Sequence, residues 1–309
     1  MSSDAIATPA PPRVEEVSAG IFAYIQPDGT WFLNNAGFIV GPEGVIAIDS
    51  TSTARRARAL FAALRRQTDK PVQVLVNTHS HGDHTWGNFV FAPATAIVAH
   101  ERCREEAIAG GTTAAALFPG VDWGEIRVTP PFVTFEDRLT LYAGDLRIEL
   151  RYLGPAHTTG DIVAWIPERK LLFAGDLIFN GGMPLAIGGT IAGWIEALGR
   201  LRAFGAETIV PGHGPVCGPQ AIDAVEAYLR FVQDAARRGF EAGIEPLELA
   251  RELDLGPFAA LSDRERIVAN LHRAYSELRG EPPAAPLDIG RVFAEMVAYN
   301  GGQPPHCFA

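Results

Sequence analysis

The sequence predicts an α+β fold in which two β-sheets pack face to face and helices cover their outer sides. Short apolar runs bounded by Gly, Pro, Asp and Asn recur along the chain, as strands do in layered sheets. The order of strands followed by a segment with helical periodicity occurs twice, and the chain after residue 218 is mostly helical. Alternation between the two kinds of element favours sheet and helix layers around a shared core.

In the first half of the chain, Pro-Asp-Gly and Gly-Pro-Glu-Gly turns separate strands, and Thr53 is suited to cap a helix. The strands predicted there are 20–25, 31–40, 45–48, 72–76 and 95–99. The predicted helices are 53–67 and 100–109, followed by an irregular stretch over 110–135. A long irregular stretch in a compact domain is either a binding loop or a loop pinned to the core by its aromatic residues.

The same criteria apply to the second half of the chain. The strands predicted there are 138–142, 146–153, 161–166, 171–173 and 208–210. The predicted helices are 189–204, 219–238, 245–253, 262–278 and 288–299. We therefore expect a flexible N-terminus over 1–19, a domain over 20–218 and a helical extension over 219–309 packed on it. The sequence leaves open whether this extension completes the fold, walls a pocket or forms a homodimer.

Composition excludes several classes of function. Hydrophobic residues make up 47% of the 309 residues, enough for a sizeable core. A net charge of −10 argues against nucleic acid as the main partner. The first residues lack the basic start and apolar core of a secretory signal, and no apolar run is long enough to span a membrane. We expect a cytoplasmic protein without a membrane partner, whose three cysteines are reduced.

The richest stretch of the chain in metal-binding side chains is N-T-H-S-H-G-D-H, which contains His79, His81, Asp83 and His84. The apolar run 71–76 leads directly into it, so the side chains splay around a loop rather than along a helix face. Imidazole and carboxylate are the ligands of zinc and its first-row neighbours. The spacing therefore predicts a metal site rather than a polar surface turn.

Three further residues have similar surroundings, because each lies beside a strand and close to a glycine. They are His157 in G-P-A-H, Asp176 in F-A-G-D and His213 in V-P-G-H. Strand ends at one edge of a sandwich can converge on a single cleft. Seven ligands exceed the four of a tetrahedral zinc, so the sequence predicts two metal ions. Zinc is the expected metal, with iron and manganese as alternatives.

This ordered set of ligands resembles the metallo-β-lactamase superfamily. The resemblance implies an αββα sandwich with the metals at one edge. It assigns the first metal to His79, His81 and His157. It assigns the second to Asp83, His84 and His213, with Asp176 between the two metals. It also implies that Asp49, at the end of a strand, orients the ligands from behind.

Aromatic and apolar residues cluster in the sequence around the ligands, which predicts a pocket for a flat, apolar substrate. Each of them alone is more simply a core residue. The pocket prediction comprises Trp31, Phe32, Trp86, Phe118, Phe179, Met183 and Trp194.

F-P-G-V-D-W-G-E-I at 118–126 and V-A-Y-N-G-G-Q at 297–303 lie outside the metal motifs. Together with those motifs they resemble the actinorhodin-type second-ring cyclases of aromatic type II polyketide pathways. The resemblance implies an enzyme that closes the second ring of a polyketide and releases it from the thioester of an acyl carrier protein. The substrate is then carrier-bound or free polyketide, and the catalytic proton acceptor is either a metal-bound hydroxide or Asp83.

The main alternative is a general metal-dependent thioesterase similar to the glutathione-thioester hydrolases, which would turn over a small lactoyl-thiol. A non-haem iron dioxygenase on the same scaffold would contain iron and take up oxygen. A lactonase of the superfamily would carry a tyrosine three residues after Asp176, where this chain has Phe179. A secreted β-lactamase would carry a signal sequence.

Overall fold

The computed structural model describes residues 9–309, which form two sheets flanked by helices. The strands are β1 (Arg13–Ser18), β2 (Ile21–Ile25), β3 (Ala36–Val40), β4 (Val45–Ile48), β5 (Val72–Val76), β6 (Ala96–His100), β7 (Val133–Phe135), β8 (Arg138–Ala143), β9 (Leu146–Tyr152), β10 (Ile162–Ile166), β11 (Leu171–Phe179) and β12 (Thr208–His213). The helices are α1 (Ala54–Gln67), α2 (Gly82–Thr85), α3 (Glu101–Gly110), α4 (Ile191–Arg202), α5 (Gln220–Glu241), α6 (Pro246–Glu252), α7 (Arg266–Leu278) and α8 (Ile289–Tyr299).

The two sheets pack face to face. The first has the order β1-β2-β3-β4-β5-β6-β7, antiparallel up to β4 and parallel from there to β7. The second has the order β12-β11-β10-β9-β8, in which only β11 and β12 are parallel. Ile48 of the first sheet and Ile148 and Phe173 of the second belong to one buried cluster, which lies between the sheets.

Helices cover both outer faces. Leu60 and Leu64 of α1 pack on Phe38 of the first sheet. Trp194 of α4 and Leu229 of α5 belong to the cluster that covers the outer face of the second sheet. The predicted αββα sandwich of the α+β class, with helices after it, is therefore confirmed.

The C-terminal helices share the core of the sandwich. Tyr228 of α5, Leu271 of α7 and Met296 of α8 belong to the same buried cluster as Trp194 of α4. Burying apolar area stabilises a fold by about 25 cal/mol per Å². The contact between these helices and the sandwich therefore stabilises both. Among the helices of residues 9–309, none is long and apolar enough to cross a bilayer.

Some elements differ from the sequence-based prediction. Residues 13–18 form a strand paired with β2, not a flexible segment, and residues 1–8 of the predicted flexible N-terminus lie outside the described residues. The predicted strand over 31–40 begins only at residue 36. Asn34 and Asn35 donate side-chain hydrogen bonds to the backbone oxygens of Ser50 and Pro211, respectively, and anchor an irregular loop instead.

The strands that end near the ligands are longer than predicted. β11 runs through Asp176 to Phe179, and β12 runs to His213. Their parallel pairing continues past the glycines through irregular register, so the polar end residues extend the strands rather than ending them. Thr53 caps α1 by accepting a hydrogen bond from the backbone N–H of Arg56, as predicted.

Candidate metal centre

The seven predicted ligands meet at one edge of the sandwich, between the ends of the two sheets. The loop after β5 carries His79 and His81, and α2 carries Asp83 and His84. The second sheet contributes the remaining ligands from the β9–β10 loop, from β11 and from the end of β12. These are His157, Asp176 and His213.

Their potential ligand atoms form two groups. The first group consists of His79, His81, His157 and Asp176, and the second of Asp83, His84 and His213. Within each group these atoms lie within 4.8 Å of one another. The division follows the two metal positions implied by the sequence, whose occupation by metal remains a prediction.

Asp176 lies between the two groups. Its Oδ2 lies 3.3 Å from His157 Nε2 in the first group and 3.4 Å from His213 Nε2 in the second. Its Oδ1 lies 3.1 Å from His84 Nε2. A carboxylate in this position can touch two cations at once.

Four of the histidines are held by the ring nitrogen that points away from the centre. Each of these Nδ1 atoms has a hydrogen-bond partner, and Nε2 therefore faces inward. The pairs are His79 with Thr78 Oγ1 (3.1 Å), His84 with Asp49 Oδ2 (2.8 Å), His157 with Leu185 O (2.6 Å) and His213 with Gly29 O (3.0 Å). His81 is turned the other way, with its Nδ1 toward the centre.

Several inward atoms are buried and lack an aligned hydrogen-bond partner. These are His79 Nε2, His84 Nε2 and Asp176 Oδ1. Leaving such atoms unpaired costs about 1–3 kcal/mol each, and metal ions held by the two groups would satisfy them. The residues therefore fit a metal centre, and their imidazole and carboxylate donors suit zinc, iron and manganese alike.

Asp49 is hydrogen-bonded to His84 of the second group on the side away from the centre. Its Oδ2 accepts hydrogen bonds from His84 Nδ1 at 2.8 Å and from Thr78 Oγ1 at 2.7 Å. Its Oδ1 accepts a hydrogen bond from the Thr78 backbone N–H at 2.7 Å. The carboxylate thus fixes the ring of a candidate ligand and the start of the ligand loop, in the place that the sequence predicted.

The charges of the centre favour neutral imidazole in the first group. Burial, together with the neighbouring His81, lowers the pKa of His157 to about 3. Burial also lowers the pKa of His79 well below its usual value. These rings are therefore available as metal ligands at neutral pH without losing a proton.

In the second group, the neighbouring charges favour a protonated imidazole at His213. Burial lowers the pKa of His213, but the Asp176 and Asp83 carboxylates outweigh it and raise the value to about 9. Burial raises the pKa of Asp83, but His84 and His213 outweigh it and bring the value to about 2. Asp83 is therefore a carboxylate throughout the neutral range, and metal binding at His213 would displace a proton.

A cavity of about 480 Å³ opens onto the centre. Its floor includes the candidate ligands His81, Asp83, His157, Asp176 and His213. Its walls are mainly apolar. The predicted aromatic residues that line it are Trp31, Phe32, Phe118 and Phe179.

The comparisons with known proteins agree with this geometry. The family model described as the metallo-beta-lactamase superfamily matches residues 29–213, which contain all seven candidate ligands. The chain belongs to the metallo-β-lactamase superfamily. Members of the superfamily are metal-dependent hydrolases, and the two His and Asp clusters place the metal-binding residues of this member at the edge of its sandwich.

Three curated relatives align with parts of the chain. The linear primary-alkylsulfatase of Pseudomonas sp. is 25% identical over 72% of this chain and 50% of its own length. The alpha subunit of 2,4-dinitroanisole O-demethylase of Nocardioides sp. is 32% identical over 57% of this chain and 51% of its own length. The hydroxyacylglutathione hydrolase of Rhodospirillum rubrum is 32% identical over 44% and 45%. The chain spans about half the length of these relatives.

Among solved structures, the metallo-beta-lactamase from Pontibacter korlensis superposes with a TM-score of 0.59 at 22% identity. The match covers 71% of this chain and 99% of that one. This likeness supports the superfamily fold. The family match ends at residue 213, and helices α5 to α8 follow it in the chain.

The pocket prediction is wrong for Trp86, Met183 and Trp194, which do not line the cavity. Trp194 is fully buried, and its ring lies 5.3 Å from that of His157, so it supports a candidate ligand from behind. Trp86 is stacked on Phe32 at 5.5 Å, in the layer behind the wall. Met183 is fully buried as well. Closeness to a ligand in the sequence does not determine whether a side chain points into the cavity or into the core.

The sequence-based pocket missed the walls that come from distant parts of the chain. The missed apolar residues are Leu117, Leu185, Ile187, Ile289, Phe293 and Met296. Three of these lie on one face of α8 at positions i, i+4 and i+7, a periodicity visible in the sequence. Arg266 was also missed. Its guanidinium lies 4.3 Å from the Trp31 ring and braces that wall.

Proposed function

We propose that this member of the superfamily is a thioesterase and cyclase for an aromatic polyketide intermediate. The substrate would be a partly cyclised poly-β-ketone on the thioester of an acyl carrier protein, and the product would be the released two-ring compound. The observation that carries the proposal is the combination of a metal-binding floor with an apolar, aromatic-walled cavity in one pocket.

The shape of the cavity supports a flat apolar substrate. Its volume of about 480 Å³ lies in the range of sites for small organic molecules. Phe118 packs edge-on against Phe32 at 5.2 Å and against Phe293 of α8 at 5.5 Å. These rings offer wide faces against which a conjugated ring system can stack.

The relatives support parts of the same chemistry. One is named as a hydrolase of hydroxyacylglutathione, which is a thioester, and another as an enzyme acting on 2,4-dinitroanisole, a flat aromatic compound. The proposal for this chain combines the two features, a thioester to be broken and an aromatic body to be held.

Bound metals would supply a polarised carbonyl and a water of lowered pKa. Thioester release joins the oxygen of water to the acyl carbon, breaks the carbon–sulfur bond and leaves the proton with the departing thiol. In ring closure, a methylene between two ketones loses a proton and its carbon attacks another ketone carbon of the same chain. The oxygen of that ketone becomes a hydroxyl group, which leaves as water when its carbon–oxygen bond breaks. Asp83 lines the cavity as a carboxylate and is the proposed acceptor of the methylene proton.

The test is incubation of the metal-loaded protein with a carrier-bound polyketide intermediate, followed by mass analysis of the released product. We expect a two-ring product, and at least a hundredfold slower release by His81→Ala and Asp176→Ala variants. Release of the product at an unchanged rate by these variants, or no release by the metal-loaded protein, would overturn the proposal.

The second candidate is a general hydrolase of small thioesters, favoured by the 32% identity to hydroxyacylglutathione hydrolase. Offering lactoyl-glutathione to the same preparation separates the two. Fast turnover of lactoyl-glutathione together with inert polyketide thioesters would establish the second candidate. The apolar walls predict the reverse, because a small polar acyl group would leave most of the cavity unfilled.

A further inference from the structure

One carboxylate connects the two loops that carry the imidazoles of the first metal position. Glu106, on α3, accepts a hydrogen bond from Ser80 Oγ at 2.6 Å through its Oε2. Its Oε1 accepts hydrogen bonds from the backbone N–H of Thr159, at 3.2 Å, and from the Thr159 hydroxyl. Ser80 is next to His81 in the chain, and Thr159 is two residues after His157.

The helix that carries Glu106 lies in direct contact with the second of these loops. At Gly160, a Cβ atom would lie 2.6 Å from the backbone nitrogen of Cys103 on α3, so only glycine permits this approach. Within the loop, Asp161 accepts hydrogen bonds from the backbone N–H and the hydroxyl of Thr158, both at 2.8 Å. The loop is therefore closed on itself and seated on the helix.

The consequence is a defined separation between two candidate ligands. His81 Nδ1 and His157 Nε2 lie 2.8 Å apart, although the loops that carry them come from different sheets. Glu106 is the side chain that bridges the two loops through hydrogen bonds on both of its oxygens. Removing it would break both of these side-chain links, and the backbone hydrogen bond from Ile162 N–H to Thr78 O would remain between the two segments.

The second metal position has other supports. His84 is held by Asp49, and His213 donates its Nδ1–H to Gly29 O. None of the hydrogen bonds of Glu106 within residues 9–309 reaches Asp83, His84 or His213. Glu106 therefore makes no hydrogen bond to a candidate ligand of the second position.

We propose that Glu106 is a positioning residue for the first metal position alone. It sets the spacing of the His81 and His157 rings and thereby the affinity of that position, while the second position keeps its own affinity. The inference depends on the metal centre and not on the identity of the substrate.

The experiment measures the two stepwise Zn²⁺ affinities of metal-free full-length protein by competition with a chromophoric chelator. A Glu106→Ala variant should bind one Zn²⁺ about 10–100-fold more weakly, the range expected when a supporting partner of a ligand is lost. The other affinity should stay within about twofold, because its supports are untouched. A His157→Ala variant identifies which step belongs to the first position, since that variant removes a ligand of that position.

Glu105→Ala is the matched control, because it deletes a carboxylate from the neighbouring, exposed position of the same helix. It should leave both affinities unchanged. Ser80→Ala and Thr159→Val each remove one connection of Glu106, and each should weaken the same step by a smaller factor. These two variants decide the question if Glu106→Ala does not fold, which circular dichroism of the metal-free protein would show.

Two results would overturn the inference. One is an unchanged pair of affinities in Glu106→Ala and in both hydroxyl variants. The other is an equal loss in both steps, which would mark Glu106 as a support of the whole fold. A failure of the proposed polyketide activity would leave these measurements unaffected, because they use Zn²⁺ alone.

Discussion

Nδ1 of His81 lies 2.8 Å from Nε2 of His157, and the two rings meet at nearly a right angle, 86°. The two residues are 76 positions apart in the chain and come from different sheets. Asp176 Oδ2 lies 3.3 Å from the same nitrogen of His157. Several nitrogen and oxygen ligand atoms thus converge at one buried point. A bound cation would stabilise this arrangement by coordinating them.

Asp49→Asn tests the support behind the second metal position. The amide retains one acceptor for the Thr78 backbone N–H, but its NH₂ group cannot accept a hydrogen bond from His84 Nδ1–H. We expect the affinity for the second Zn²⁺ to fall about 10–100-fold, while the fold is retained. Chelator competition measures this, and equal affinities in Asp49→Asn and the unmodified protein would contradict the assigned role.

Phe293→Ala tests the contribution of α8 to the cavity. Its ring packs on Phe118 at 5.5 Å, and the truncation removes part of an apolar wall without touching the metal ligands. We expect KM for an aromatic thioester such as naphthoyl-pantetheine to rise about tenfold, with kcat little changed, because wall contacts are made equally with substrate and transition state.

The matched control is Phe240→Ala, which makes the same truncation on α5 at a side chain that is 39% exposed and does not line this cavity. It should leave KM unchanged. If Phe293→Ala lowers kcat and leaves KM alone, or if both truncations change KM equally, α8 is not a wall of the substrate site.

Much of the fold was predictable because its signals are local. Thr53 is a cap whose function depends on three residues of sequence, and the structure shows its hydrogen bond to the Arg56 N–H. The ligand residues stand beside strands with strong apolar patterns, so their convergence at one edge follows from the layered architecture. Asp49 was predictable from its place at the end of a strand, together with the resemblance to the superfamily.

The unpredicted features depend on contacts between distant parts of the chain. Ile289 and Phe293 have the periodicity of an amphipathic helix, but nothing local indicates that their face closes a cavity over His81. Trp194 follows the ligands closely in sequence but belongs to the buried face of α4. Glu106 is one of several carboxylates on a helix, and only the approach of Gly160 to α3 reveals its partners.

Asp161→Asn tests a buried carboxyl in the loop after His157. Burial raises the pKa of Asp161 from 3.8 to about 7, against the hydrogen bonds from Thr158. A folded-state pKa above the unfolded one means that the protonated form is favoured on folding. The stabilising contribution is therefore complete below about pH 4 and is lost as the pH rises through about 7.

The free energy of unfolding of the metal-free protein should consequently fall by about 2–4 kcal/mol between pH 5 and pH 8, relative to the neutral Asn variant. Urea unfolding of both proteins at the two pH values measures this difference. If the free energies of unfolding of the two proteins change equally between pH 5 and pH 8, Asp161 is already ionised in the folded state at pH 5.

Charge reversal at Arg55 tests the docking of an acidic carrier protein. Arg55 is exposed on α1, and the chain has a net charge of −10, so any attraction of an acidic partner has to be local. Arg55→Glu should raise KM for the carrier-bound substrate several-fold at low salt and leave KM for a pantetheine thioester unchanged. Identical KM values for the carrier-bound substrate would mean that α1 presents a solvated face only.

The metal content of the protein tests the central claim most directly. Protein loaded with Zn²⁺ and freed of excess metal should retain two ions per chain by elemental analysis, as two groups of ligands require. Anomalous diffraction should place one ion within each group, with Asp176 beside both. A chain that retains no metal and hydrolyses its substrate at full rate, or an ion bound away from these residues, would contradict the account.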